Sequence, residues 1–117
     1  MDLISFSFKL TNSLKLYHWQ TTSYARHITS GQLFDLLIVL LDKLVETYQG
    51  KYGVIMDYTN FALMQYQSCE AIQEYFRALN TTVEVLRQDI PDSYLQNQID
   101  GVIELIQSTL YKLKHLR

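Results

Sequence analysis

Cysteine, proline and glycine are scarce in this sequence: its 117 residues include one cysteine, one proline and four glycines. A lone cysteine excludes a framework of disulfide bonds within the chain. So few helix-breaking residues point to long helices rather than to many short strands joined by turns. The length suits a single domain, residues 1–117, with a hydrophobic core of its own.

A large charge of one sign and long hydrophobic runs are also absent. The formal net charge is −2 and the N-terminus has no basic tail, so charge gives no reason to expect a nucleic-acid or membrane-surface partner. The longest uninterrupted apolar run, from Leu36 to Leu41, is far too short to span a bilayer. The opening residues lack the basic and then apolar order of a signal peptide, and we therefore expect a cytoplasmic protein.

Apolar residues recur at steps of three and four through four segments, which predicts four helices. We expect them at about residues 2–21, 24–49, 69–88 and 94–115. Gly50 is expected to follow the end of the second helix, and residues 54–67 fit no period and predict an irregular connection. Two short-loop hairpins joined by one longer connection predict an all-α four-helix bundle of the ferritin-like type, with its crossover between helices two and three.

Helix two carries a mixed pattern of apolar and acidic residues. Its buried stripe is expected to comprise His27, Phe34, Ile38, Leu41 and Val45. At about 100° per residue, Asp35, Asp42 and Glu46 then lie together along one edge of that stripe. Asp42 and Glu46 are four residues apart on this helix, so their carboxylates can reach one cation.

Two of the three histidines, His18 and His27, flank the predicted turn between helices one and two. Imidazole combined with carboxylate oxygens suits iron, manganese or zinc. His27 and Asp42 are separated by about 22 Å along a helix, however, and cannot share a metal within one chain. A mixed site therefore requires two copies of helix two, antiparallel and crossing near residues 34–38. A two-fold axis near Asp35 would create two equivalent sites.

This region resembles the Dps-type miniferritins of the ferritin-like superfamily. His18 followed by Trp19 matches the family's first histidine, and His27 stands at the family's spacing before the D-x-x-x-E of Asp42 and Glu46. The resemblance, over about residues 14–49, implies a homo-oligomer with a ferroxidase centre at a dimer interface, where ferrous iron is oxidised. The pattern H…SYA.H…D…E..QG.YG is similar also to short ferritin-like proteins of bacteriophages and large DNA viruses, which implies a location in the host cytoplasm or the virion.

The sequence departs from the miniferritin pattern at several places. Gly31 stands where the family has a carboxylate, and Asp35, one turn later, is the nearest replacement. The segment between the two histidines is shorter than in the family, and no additional short helix is expected between helices two and three. The E-x-x-H motif of a di-iron site within one chain does not occur.

A second interpretation of the same residues involves no metal. His18 and His27 can serve as hydrogen-bonded histidines at helix ends, and Asp42 and Glu46 can form a solvated helix edge. The protein would then be a helical bundle with a structural or interaction role, which in a virus includes a place in the virion. The sequence is consistent with both functions.

Overall fold

The computed structural model describes residues 1–65 and 68–116. Within those ranges every regular element is an α-helix, which confirms the all-α four-helix bundle. The helices are α1 (Leu3–Gln20), α2 (Tyr24–Tyr52), α3 (Cys69–Asp89) and α4 (Ser93–His115). None of them is long and apolar enough to cross a membrane.

The end of α2 lies later in the chain than the sequence predicts. The helix continues through Gly50 and ends at Tyr52, so the prediction for Gly50 was wrong. Gly53 has φ +90°, a backbone conformation that glycine adopts without the penalty a side chain would incur. Its N–H donates to the carbonyl of Gln49 at 2.8 Å and closes the helix.

Contacts at the two ends of the bundle show how the chain is threaded. At one end the hydroxyl of Tyr52 donates to Asp92, so α2 finishes where α4 begins. At the other end the thiol of Cys69 donates to the carbonyl of Leu113 at 3.3 Å, so α3 begins where α4 finishes. The connection from α2 to α3 therefore runs the length of the bundle, and α2 and α3 point in the same direction.

The predicted irregular connection, residues 54–67, has no regular structure from residue 54 to 65, and residues 66 and 67 lie outside the described ranges. Its first half is tied to the start of α1 by Asp2. One carboxylate oxygen of Asp2 caps α1 by accepting from Ser5 N–H at 2.8 Å, and the other accepts from Thr59 N–H at 3.1 Å. Partial burial opposes ionisation of Asp2, but these hydrogen bonds prevail and lower its pKa.

The core is built from apolar side chains spaced at helical intervals. In α1, α3 and α4 the apolar residues that recur at steps of three and four are found in the interior. The fully or almost fully buried residues of α1, α3 and α4 include Leu3, Phe6, Leu10, Leu14, Tyr17, Ile72, Phe76, Leu79, Val83, Leu95, Ile99, Val102, Ile106 and Leu113. α1 packs against α2 and α3, and α4 packs against the same two helices, so this core lies along a single central axis.

The stripe predicted for α2 was confirmed at Leu41 but was wrong in its orientation around the helix. The buried face consists of Ser30, Leu33, Leu37, Leu41 and Leu44, which is rotated by roughly 70° around the helix axis from the predicted stripe. Ile38, expected in the core, is 43% exposed. The run from Leu36 to Leu41 is apolar on every side of the helix, so its periodicity carries no information about which side faces inward.

Two adjacent leucines of α2 test this assignment. Leu37 is 2% exposed and Leu36 is 57% exposed. Leu37→Ala should lower the free energy of unfolding by about 2–5 kcal/mol, because it removes buried methyl groups and leaves a cavity. Leu36→Ala should change it by about 0.5 kcal/mol or less. Urea denaturation of the two variants measures the difference, and equal effects would mean that the orientation of α2 is wrong.

Candidate metal centre

The turn between α1 and α2 brings His18 and His27 into direct contact. α1 ends at Gln20, and α2 begins after Ser23, whose hydroxyl caps the helix by accepting from Arg26 N–H at 3.3 Å. The two imidazole rings stack with their centroids 3.9 Å apart and their planes inclined by 16°. Residues nine positions apart in the sequence thus form one compact, half-buried pair.

Reciprocal hydrogen bonds hold the pair. Nδ1 of His18 lies 2.6 Å from the carbonyl oxygen of His27, and Nδ1 of His27 lies 2.8 Å from the carbonyl oxygen of His18. The buried hydroxyl of Ser30 donates to the same His27 carbonyl at 3.2 Å. Each histidine therefore positions the ring of the other through its own backbone.

These contacts determine which nitrogen of each ring can bind a ligand. A backbone carbonyl only accepts, so both Nδ1 atoms must carry hydrogen. In a neutral imidazole the remaining nitrogen, Nε2, then holds a free lone pair. Histidines that bind metals usually donate their other ring N–H to a carbonyl or carboxylate, which fixes the ring orientation. His18 and His27 both have this arrangement.

Gly31 makes room for the stack. A Cβ atom placed on Gly31 would lie 2.9 Å from Cε1 and 3.3 Å from Nδ1 of His18. The His18 ring thus occupies the space of a side chain at position 31, where the miniferritin pattern has a carboxylate. The His18 ring can occupy this position because residue 31 is a glycine.

The predicted acidic residues lie elsewhere. Asp42 and Glu46 are exposed on the same continuous helix as His27, about 22 Å along its axis from the histidine pair. Asp35 is also exposed, between the two groups. Among the residues that the structure describes, no three histidine, cysteine, aspartate or glutamate side chains are close enough to hold a metal. One chain brings together the two histidines but not the acids.

The outer face formed by α1 and α2 is apolar with opposite charges at its two ends. At the histidine end, the ammonium of Lys15 lies 4.7 Å from the ring centroid of Phe34 and 5.6 Å from that of Trp19. At the acidic end, Asp42 borders a groove of about 270 Å³ between the helices. The apolar lining of this groove includes Ile4, Phe8, Ile38 and Val45.

Tyr17 lies beneath this face, next to His18 in the sequence, and is buried. Burial raises the pKa of its hydroxyl, and the adjacent Cys69 thiol raises it further. The phenol consequently remains protonated at neutral pH and does not provide an anionic ligand. Lys15, Ser30 and Gly31 are the site residues whose roles the sequence did not indicate. Their positions follow from how α1 rotates against α2, which no local spacing encodes.

Two glycines of α2 test the link between Gly31 and the stack. Gly50 has no neighbouring atom within 4 Å of an added Cβ, so Gly50→Ala should raise the free energy of unfolding by about 1 kcal/mol through helix propensity. Gly31→Ala gains the same propensity but displaces the His18 ring and its hydrogen bond, a loss of about 1 kcal/mol or more. In thermal denaturation the Gly50→Ala variant should therefore have a clearly higher melting temperature than the Gly31→Ala variant. Equal stabilisation by both would show that His18 does not need this space.

Comparison with known proteins adds a family but no activity. Residues 18–113 match a family described as a family of unknown function (DUF5856), so the matched region begins at His18 and includes His27, Asp42 and Glu46. No curated protein matches the chain, and no solved structure matches it either. Because the match spans most of the sequence, the chain belongs to the DUF5856 family.

Proposed function

We propose that this protein is a ferritin-like homo-oligomer that binds a divalent metal between two subunits, with ferrous iron as the ion it takes up and oxidises. His18 and His27 of one protomer would supply two nitrogen ligands, and Asp42 and Glu46 of its partner would supply oxygen ligands. The observation that carries the proposal is the pair of Nδ1–carbonyl hydrogen bonds. They place the hydrogen of each neutral ring on Nδ1 and so leave both Nε2 lone pairs for a cation.

The arrangement of the bundle supports the ferritin-like part of the proposal. A long crossover between α2 and α3, with α1 and α4 each packed against both of these helices, is the topology that such bundles share. In these folds the metal ligands project from the helices rather than from loops. The candidate ligands here follow that rule, since all four lie within α1 or α2.

The charge distribution supports a two-fold pairing along α2. Lys15 and the histidines lie at one end of the α1–α2 face, and Asp42 and Glu46 lie at the other. When two such faces pack antiparallel, the basic end of each copy lies against the acidic end of the other, so the match occurs at both ends of the interface. Crossing near residues 34–38 brings the two ends into register. In that register the apolar groove beside Asp42 faces the histidine end of the partner.

Two imidazoles and two carboxylates form a donor set that suits iron, zinc or manganese. Iron is the substrate that the resemblance implies: each ferrous ion would give up one electron, and dioxygen or hydrogen peroxide would accept electrons together with protons to form water. The imidazoles would hold the ion as neutral ligands, and the carboxylates would balance the additional positive charge of ferric iron. Asp35 is placed near the two-fold axis in this arrangement and is a further candidate ligand.

A metal-free bundle with a structural or interaction role, including a role in a virion, is the second candidate function. The observation that favours it is the histidine pair itself. Stacking and mutual hydrogen bonds satisfy both Nδ1 atoms without any ion, so the pair can simply fasten α1 to α2.

Metal retention separates the two functions. Wild-type protein incubated anaerobically with ferrous iron should retain it through gel filtration, as measured by elemental analysis, and should oxidise it when oxygen or peroxide is added. His27→Ala and the double variant Asp42→Asn/Glu46→Gln should each bind iron about tenfold or more weakly, because each removes ligands from the shared site.

Matched controls lie outside the proposed site. His115→Ala removes the third histidine, and Glu70→Gln/Glu74→Gln neutralises two exposed acids of α3 with the same four-residue spacing. Both control proteins should retain iron as wild type does. If wild-type protein retains neither iron, zinc nor manganese, the metal-binding function is excluded and the metal-free bundle is favoured.

Asp35→Lys tests the proposed two-fold interface. Near the axis, residue 35 of one copy lies close to residue 35 of the other, so two lysine side chains would need more room than two aspartates and could not share a cation or a proton as two aspartates can. The variant should weaken the dimer by about tenfold or more while its far-ultraviolet circular dichroism stays unchanged. Sedimentation equilibrium measures the association, with Glu70→Lys as the control. An unchanged dimer would rule out this register.

A further inference from the structure

The stacked arrangement of His18 and His27 is incompatible with both rings binding one ion. The lone pair of Nε2 lies in the plane of its ring, and a metal binds close to that plane at about 2.0–2.1 Å. The two planes are inclined by only 16° and the centroids are 3.9 Å apart. An ion in the plane of one ring consequently lies well away from the plane of the other.

Opening the stack requires the rings to turn about their side-chain bonds. Each ring is held at Nδ1 by the carbonyl of the opposite histidine. An imidazole is joined to the backbone through Cβ, so it turns only about the Cα–Cβ and Cβ–Cγ bonds, and a turn large enough to unstack the rings moves Nδ1 away from the carbonyl. Opening therefore exchanges at least one Nδ1–carbonyl hydrogen bond for a bond from Nε2 to the cation.

We propose that cation binding opens the His18–His27 stack, and that Gly31 sets the metal affinity by providing the space in which the closed stack rests. This inference rests on the proposed function, since it requires the pair to bind a metal. The closed stack and the metal-bound pair are then two exclusive states of one site.

Gly31 stabilises only the closed state. Its missing Cβ leaves the volume that the His18 ring fills, with Cε1 at 2.9 Å from where a Cβ would stand. The apparent affinity for a ligand falls with the fraction of protein that is in the binding-competent state. A side chain at position 31 destabilises the closed stack, so it should raise the apparent metal affinity rather than lower it.

Nuclear magnetic resonance of the full-length protein tests the opening directly, with Zn²⁺ as a diamagnetic probe. The metal-free protein should show nuclear Overhauser effects between the ring protons of His18 and His27. One equivalent of Zn²⁺ per site should shift both Nε2 resonances by the amount expected of a direct bond, which the closed stack does not permit. A direct bond to only one Nε2, with the other Nε2 resonance unchanged, overturns the inference and leaves metal binding at the site intact. Failure of Zn²⁺ and ferrous iron to bind at all overturns the proposed function, and this inference with it.

Affinity measurements on two glycine variants provide the second test. Gly31→Ala should bind Zn²⁺ with a severalfold lower Kd than wild type, and Gly50→Ala, in the same helix, should match wild type. If the Kd of Gly31→Ala for Zn²⁺ is as high as that of His18→Ala, the inference is overturned. Such a result would mean that His18 binds the metal from its stacked position. The resonance experiment on the wild-type protein decides the matter if the Gly31 variant does not fold.

Discussion

The mutual hydrogen bonding of His18 and His27 is the interaction on which the site depends. Each imidazole donates through Nδ1 to the backbone carbonyl of the other histidine, so one pair of contacts fastens the end of α1 to the start of α2 and also sets the tautomer. The same two hydrogen bonds thus hold the helices together and leave Nε2 as the ring nitrogen that can bind a ligand. Replacing either histidine by alanine removes one ring and the stack but keeps the backbone carbonyl to which the other ring donates.

The bundle around this pair keeps the two histidines and the two candidate acids apart within one chain. α2 is a single helix from Tyr24 to Tyr52, and its rigidity keeps the histidines and the Asp42–Glu46 pair at opposite ends of one face. A helix that carries complementary groups at its two ends is suited to pairing with an antiparallel copy of itself. The exposed apolar groove and Lys15 lie on that same face, where a second copy would cover them.

Most of the fold follows from the sequence because three helices have a clear apolar stripe, as Phe76 and Val83 of α3 illustrate. The stripe of α2 does not follow, because Leu36 to Leu41 is apolar around the whole helix and only packing decides that Leu37 is buried and Ile38 is not. The meeting of the two histidines can be expected from the short turn. The stacking of the rings and its dependence on Gly31 cannot be predicted from the sequence. Both depend on how α1 is rotated against α2 to within the width of one side chain.

Mixing two defective proteins tests the shared site most directly. His18→Ala/His27→Ala lacks the nitrogen ligands, and Asp42→Asn/Glu46→Gln lacks the oxygen ligands, so neither protein alone should bind metal. After subunit exchange, a mixed dimer has one site with all four ligands intact and one site with none. Random pairing of equal amounts should therefore restore about a quarter of the wild-type metal capacity. No recovery in a mixture shown to contain mixed dimers would contradict a site shared between subunits.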